Sequence, residues 1–373
     1  MSALIKLLSF VTPAPPTPLG RDYSGVEYRW KMITFRPALF KFEGAALGLL
    51  GLYLLWYLVG RNINTSRAKA AVKPLIPYLS TQFTLLKPLV SSSPALHLLY
   101  ATGRRNVLSL HTTISLLPLH DLAGLVVHLA KSVIDPTYDG SENILFDVTL
   151  GKGESGLQGE GVGVWAVVDK SAMRETKEKR WDLTFPRLVE SAAVPITHAV
   201  FSEHSEATDA LLKTANIGIT ELLADAPTAS VLKYLLVTDV SARRPQKGPL
   251  PTQHKRRSIY LSVRKPSTEA QTAAVKAWLQ VAMNIADLLA KPNVVKPEVT
   301  RKLVKTRQTV DTELGLSYKK ALEEDLPAEE TAEEKRAAKK RAERAQLSEK
   351  EQKRLDDLEK KREMRKAQKK QMK

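Results

Sequence analysis

Between Glu43 and Arg61 the chain runs through seventeen uncharged residues, Gly44 to Gly60, leucine-rich and without a polar face. At about 1.5 Å of rise per residue, such a run reaches the short end of what crosses a bilayer core as a helix. Tyr53, Trp56 and Tyr57 gather toward its C-terminal end, where aromatic rings favour the membrane interface. A core helix of a soluble protein usually keeps a polar stripe, and a cleaved leader starts closer to the N-terminus than residue 44. The run is therefore read as a transmembrane helix over 44–60.

Past the anchor the apolar spacing alternates between helical and extended patterns. Leu75, Tyr78, Leu79 and Phe83 recur at three- and four-residue steps, which predicts a helix over 65–83. Residues 106–117 read as a strand, and Pro118 opens a helix through Ile134 with Leu122, Leu125, Val126 and Leu129 on one face. Residues 143–150 and 163–168 read as paired strands, joined by a hairpin rich in glycine. A charged helix follows at 170–180, with short helices at 206–213, 217–224 and 229–235. Strands are expected at 236–242 and 258–263, and a long amphipathic helix at 268–290. The fold class is α+β: a Pro-rich, loosely packed N-terminal segment (1–43), the anchor (44–60), one mixed α+β domain (61–292) and a charged helical tail (293–373).

Charge sharpens this picture. The net charge is +17, and no cysteine occurs, which excludes disulfides, thiolate nucleophiles and cysteine-ligated zinc, and favours a cytosolic domain. From Ala328 onward there are 17 basic and 11 acidic residues, with the acids clustered early and the bases late. Glu329, Glu330, Glu333 and Glu334 precede Lys335, Arg336, Lys339, Lys340, Arg341 and Arg344, the polarity a helix macrodipole prefers. Lys360, Lys361, Arg362, Arg365, Lys366, Lys369 and Lys370 crowd the end beside one acid, Glu363. Leu347, Leu355 and Leu358 do not sustain a heptad, so a self-pairing coiled coil is not supported. A base-rich helix without an apolar stripe seeks a polyanion, and ribosomal RNA phosphate is the partner expected here. A second basic cluster, Arg243, Arg244, Lys247, Lys255, Arg256 and Arg257, lies between two expected strands with no acid from Ser241 to Ser258. It is read either as a solvated loop or as a contact for phosphate or lipid headgroups.

Nothing points to catalysis, a cofactor or a metal. Gly151-Lys-Gly-Glu-Ser-Gly156 matches G-x-G-x-x-G, but the chain continues through more glycines into another strand instead of opening a helix. The seven histidines form no H-E-x-x-H; His120 and His128 stand eight apart on one expected helix face. Charge does not orient the anchor, since Arg29, Lys31, Arg36 and Lys41 on one side balance Arg61, Arg67, Lys69 and Lys73 on the other.

The order of several short motifs resembles the calumin family of endoplasmic reticulum proteins. These motifs are Asn64-Thr-Ser-Arg-Ala-Lys, Gln82-Phe-Thr-Leu, Gly103-Arg104, Leu116-Leu-Pro-Leu-His-Asp-Leu, Lys233-Tyr-Leu-Leu-Val-Thr-Asp-Val240 and Lys369-Lys-Gln-Met-Lys373. The resemblance implies a single-pass protein with a lumenal N-terminus, a cytosolic α+β domain and a C-terminal helix at the ribosome exit tunnel. It also implies a subunit of the PAT complex, an intramembrane chaperone acting with a Sec61-type translocon, the small partner Asterix and nascent multipass proteins. Residues 1–42 hold only Asp22 and Glu27 as acids, so the calcium binding implied by the family's acidic lumenal region is not expected. The alternative function is a membrane-surface tether holding anionic lipids through the basic loop and tail; a membrane-bound hydrolase is the weakest reading.

Overall fold

The computed structural model describes residues 25–30, 33–36, 40–135, 138–151, 163–214, 216–251, 254–291 and 294–325. Ahead of the anchor, strands β1 (Tyr28–Trp30) and β2 (Ile33–Phe35) form an antiparallel hairpin, and Arg36 pairs with Glu27 at 2.7 Å. Part of the segment expected to be loosely packed is thus ordered. Helix α1 (Lys41–Val72) starts three residues before the apolar run and continues 12 residues past it, so anchor and following helix are one element. No glycine or proline between 61 and 72 breaks it, and the expected helix at 65–83 splits only at Lys73–Leu75, after which α2 (Ile76–Gln82) begins.

The domain is built on a ten-stranded antiparallel sheet. Its strands are β3 (Leu85–Leu86), β4 (Val90–Ser93), β5 (Leu96–Thr102), β6 (Val107–Ser115), β7 (Asn143–Leu150), β8 (Trp165–Asp169), β9 (Arg187–Val189), β10 (His198–Ser202), β11 (Leu232–Thr238) and β12 (Ser258–Arg264). The spatial order is β3-β5-β6-β7-β12-β11-β8-β10-β9, with β4 also on β5. Strands β7 and β8 are consequently not partners, as the sequence reading had them: β12 and β11 stand between them. Two apolar runs consecutive in sequence look like a hairpin until a later strand takes the intervening place. The glycine-rich residues 152–162, expected as a hairpin loop, lie outside those described.

Central strands buried on both faces read as continuous apolar runs, which explains a second displacement. Residues 232–235, expected to close a helix, open β11, where Leu232, Leu235 and Leu236 are fully buried between β8 and β12. The helix before it is α7 (Ala226–Val231), with Pro227 in its first turn. On one face of the sheet Ala166, Val168, Ala199, Phe201 and Leu236 form a cluster closed by Leu183 and Met173. Register places Ile144, Phe146, Val148, Ile259, Leu261 and Val263 together on the opposite face, all fully buried.

The remaining helices are α3 (Leu122–Ile134), α4 (Met173–Lys179), α5 (Ser205–Leu212), α6 (Ile219–Ala224), α8 (Glu269–Leu289) and α9 (Pro297–Asp325). Helix α8 starts where the sequence predicts: the Thr268 hydroxyl accepts from the Gln271 amide at 3.2 Å, and ten of its residues, among them Trp278, Leu279, Ala282 and Met283, are buried. Helix α3 begins at Leu122, not at Pro118. Residues 118–121 form a turn, and Asp121 caps the helix by accepting from Ala123 N at 3.0 Å.

The chain divides into two units: residues 1–243 with 255–300, and residues 244–254 with 301–373. In the second, the middle of the basic loop accompanies α9. Tyr318 lies 3.5 Å from where a Cβ on Gly248 would sit, and Gly248 holds φ +81°, a backbone that favours glycine. Among the described residues of the expected tail, Leu303 and Leu314 are buried, which gives α9 an apolar side.

Candidate functional site

The best-built polar site is where α1 meets the domain. Over residues 41–59 every α1 residue is exposed except Tyr57, which is partly covered. From Gly60 onward one face sinks into protein: Gly60, Asn64, Ala68, Ala71 and Val72, spaced by one to four residues. Gly60 lies against the 118–121 turn so closely that a Cβ there would be 2.6 Å from both His120 Cα and Leu119 O. The Tyr57 and His120 rings meet edge-on at 5.6 Å, and Asn64 Nδ2 donates to Leu117 O at 2.8 Å.

One turn on, Arg67 Nη2 donates to Glu142 Oε2 at 2.7 Å. Lys265 Nζ donates to the same oxygen at 2.8 Å, and the Leu117 amide donates to Oε1 at 3.1 Å. Glu142 therefore ties the anchor helix, the turn and the segment after β12 together at one carboxylate. Burial alone would raise its pKa, but the Lys265 bond, the Leu117 amide and the two positive charges outweigh it and hold the group below the usual value.

Other motifs that carry the resemblance meet at the far end of β6 and β7, where Val107 pairs with Leu150. Gln82 accepts from Arg104, whose other nitrogen pairs with Asp287 of α8 at 2.6 Å. Thr84 Oγ1 donates to Gly103 O at 2.9 Å, and Gly103 adopts φ +95° with Thr84 filling the space a Cβ would need. Lys233, nearly buried, pairs with Asp139 at 3.1 Å, and Arg264 Nη2 binds Asp169 at 2.7 Å. For Asp139 and Asp169 alike, burial pushes the pKa up and hydrogen bonds push it further down: from Ser141 and Lys233 to the first, from Arg264 and Ser171 to the second. These contacts make the motifs structural couplings between distant segments. Their residue types match a need for paired buried charge and not a catalytic geometry.

The basic loop divides. Arg243, Arg244, Lys247 and Arg256 are exposed, while Lys255 and Arg257 are half-buried, and burial lowers the Arg257 pKa. Residues 244–254 accompany α9, so the structure does not bring these six into one patch within a single unit. Sequence reasoning missed the neighbouring polar cluster on the sheet. Arg180 makes a double hydrogen bond to Asp182, at 3.1 and 2.6 Å, and lies over the Tyr260 ring at 4.1 Å. Burial opposes its charge, but Asp182 more than compensates, leaving the guanidinium pKa above its ordinary value. Asp147, beside Tyr260 in register, is raised by burial, which His111, Arg180 and Arg256 offset only in part. The signal was present as the close spacing of Arg180 and Asp182, but their burial is not readable from spacing.

Lys335, Arg336, Lys339, Lys340, Arg341, Arg344, Lys360, Lys361, Arg362, Arg365, Lys366, Lys369 and Lys370 all lie outside the described residues. His120 and His128 do not share a helix face: His120 sits in the turn before α3, and His128 Nε2 lies 3.1 Å from Gly140 O. No group of three or more His, Cys, Asp or Glu able to hold a metal is found among the described residues.

Comparison with known proteins gives the family. Residues 39–366 match the family model described as PAT complex subunit CCDC47. The chain is also 27% identical over 346 residues to "UPF0674 endoplasmic reticulum membrane protein C2G5.01" of Schizosaccharomyces pombe (strain 972 / ATCC 24843), covering 89% of this chain and 87% of that protein.

Proposed function

The chain belongs to the CCDC47 family of PAT complex subunits, and from that premise we propose that it is a non-enzymatic, ribosome-associated subunit of an endoplasmic reticulum chaperone for multipass membrane proteins. In this reading α1 spans the membrane, residues before it face the lumen, and the sheet domain stands on the cytosolic face. The tail reaches ribosomal RNA near the exit tunnel through Lys335, Arg336, Lys339, Lys340, Arg341, Arg344 and the bases from Lys360 to Lys370. A Sec61-type translocon and the small membrane partner Asterix complete the assembly, and nascent multispanning chains are the clients. The observation that supports it most is the direct continuity of an exposed apolar helix with a folded domain that ends in a base-rich segment. Of the basic loop, the exposed Arg243, Arg244, Lys247 and Arg256 are the bases available to phosphate, with Lys255 and Arg257 half-buried.

The test is a salt series of ribosome co-sedimentation. Replacing Lys335, Arg336, Lys339, Lys340, Arg341 and Arg344 with Gln keeps helix propensity nearly unchanged while removing six phosphate-seeking charges. Each lost phosphate contact flattens the slope of log affinity against log salt by up to about 0.9, the value for duplex DNA. The variant is expected to leave ribosome pellets at moderate salt where the parent stays bound. Equal association of both proteins across the series refutes the tail contact, and strong parent binding to anionic liposomes with none to ribosomes favours the lipid tether instead.

A further inference from the structure

Helix α3 buries none of its residues. Its partly covered positions, Gly124, Leu125 and His128, face the protein. The outward side is apolar throughout: Leu122 is 41% exposed, Val126 63%, Val127 53%, Leu129 56%, Val133 82% and Ile134 80%. A soluble surface helix shows the reverse pattern, with its polar side outward. Water does not favour such a face, and a contiguous apolar patch of this kind marks a contact.

What covers it follows from where it begins. The anchor's apolar run ends at Gly60, and Arg61 is the first charged residue beyond it, so the bilayer surface lies at this level of α1. Gly60 and Tyr57 are the residues that touch the turn at Leu119 and His120, and α3 starts two residues later. Its N-terminus is thereby held at the plane where α1 leaves the bilayer. Thirteen residues at about 1.5 Å each give roughly 20 Å, too short to cross a core of about 30 Å.

We propose that α3 lies in the membrane interface beside the anchor, with Leu122, Val126, Leu129 and Val133 among the lipid acyl chains. Buried to about 5–10 Å, as interfacial helices are, this side gives the protein a second contact with the same leaflet. Lys131 lies at the flank of the apolar side, from which its ammonium reaches the headgroups.

The chain contains no cysteine, so single cysteines carry a nitroxide label without a background. The full-length protein in phosphatidylcholine vesicles would be labelled singly at residues 122–134, at Leu52 within the anchor and at exposed Lys213. Accessibility to oxygen and to a water-soluble nickel chelate is then measured at each site. The ratio of oxygen to nickel access is expected to be several-fold higher at Val126, Leu129 and Val133 than at Lys213, with troughs at Leu125 and His128. Nickel access at Val126 and Val133 equal to that at Lys213 would place the face in water and overturn the proposal. Exclusion of both reagents there would show a protein cover and overturn it equally. The Leu52 label reports the anchor separately, so failure of the membrane span is distinguished from failure of α3 to lie at its surface.

Discussion

Glu142 is the most informative single residue to remove. Its side chain is 10% exposed and accepts from Arg67, Lys265 and the Leu117 amide. Truncation in Glu142→Ala leaves Lys265, 18% exposed, and the Leu117 amide without their acceptor. Hydrogen bonds to charged groups contribute about 1.5–3 kcal/mol each, and an orphaned buried donor costs about 1–3 kcal/mol. Arg67 keeps 32% of its side-chain surface in water, so its loss counts for less. The expected cost of Glu142→Ala is about 2–4 kcal/mol. Glu142→Gln retains the shape and one acceptor oxygen but turns an amide NH2 toward a donor, and is expected to cost about half as much. Urea unfolding of the full chain in detergent, followed by the fluorescence of buried Trp165 and Trp278, reads both values. A double-mutant cycle with Arg67→Ala should give a coupling of about 1 kcal/mol. Glu142→Ala within about 0.5 kcal/mol of the parent, or Glu142→Gln costing more than Glu142→Ala, would refute the view that this carboxylate fastens the anchor to the domain.

Two further outcomes follow from the same junction and its neighbours. Gly60→Ala places a methyl 2.6 Å from the His120 backbone, which cannot move aside as a side chain end can, so a loss of about 1–3 kcal/mol is expected in the same unfolding assay. An unchanged midpoint would mean that the close approach is not maintained in solution. Glu142, Asp139 and Asp169 all have pKa values lowered by folding. Their contribution is full above the ordinary carboxylate values and is lost as pH falls through the lower folded-state values, below about pH 4. Asp147, raised by burial, runs the other way and softens the effect. Asp169→Asn should flatten the acid limb of stability measured by circular dichroism, and an acid limb identical to that of the parent would remove Asp169 from the account.

Strong local patterns were readable in the sequence, and contacts made at long range were not. The apolar run at 44–60, the alternation in 106–117 and 143–150, and the capped helix after Thr268 all declare themselves within ten or twenty residues. Strands β3 to β5 escaped because Pro88, Ser91, Ser92, Ser93 and Pro94 break 85–102 into pieces that read as loop. Strand β10 is five residues long with every one buried, too short and too uniform to show a period. The separation of β7 from β8 could not be seen at all, because the two strands that fill the gap start only at Leu232 and Ser258. The polar contacts were half legible. Asn64, Arg67, Gln82, Arg104 and Lys233 stood out within the motifs of the resemblance, whereas Glu142, just ahead of β7, and Asp287, near the end of α8, gave no sign that they answer Arg67 and Arg104.

The uninterrupted course of α1 has a mechanical consequence. A domain joined to its membrane segment by a loop can float freely, but here no such joint exists: the helix that lies in lipid at Leu55 is gripped by the sheet domain at Gly60 and Arg67. Bilayer thickness then becomes an input to the protein. The apolar stretch, about 26 Å long against a core of about 30 Å, stands near upright and draws the bilayer thinner around it, and it leans only where the core is thinner than its own length. A lean of about 20° swings the 12 residues from Arg61 to Val72, roughly 18 Å of stiff rod, sideways by about 6 Å and rotates everything clamped to it. The domain thus moves as a lever whose fulcrum is the leaflet surface.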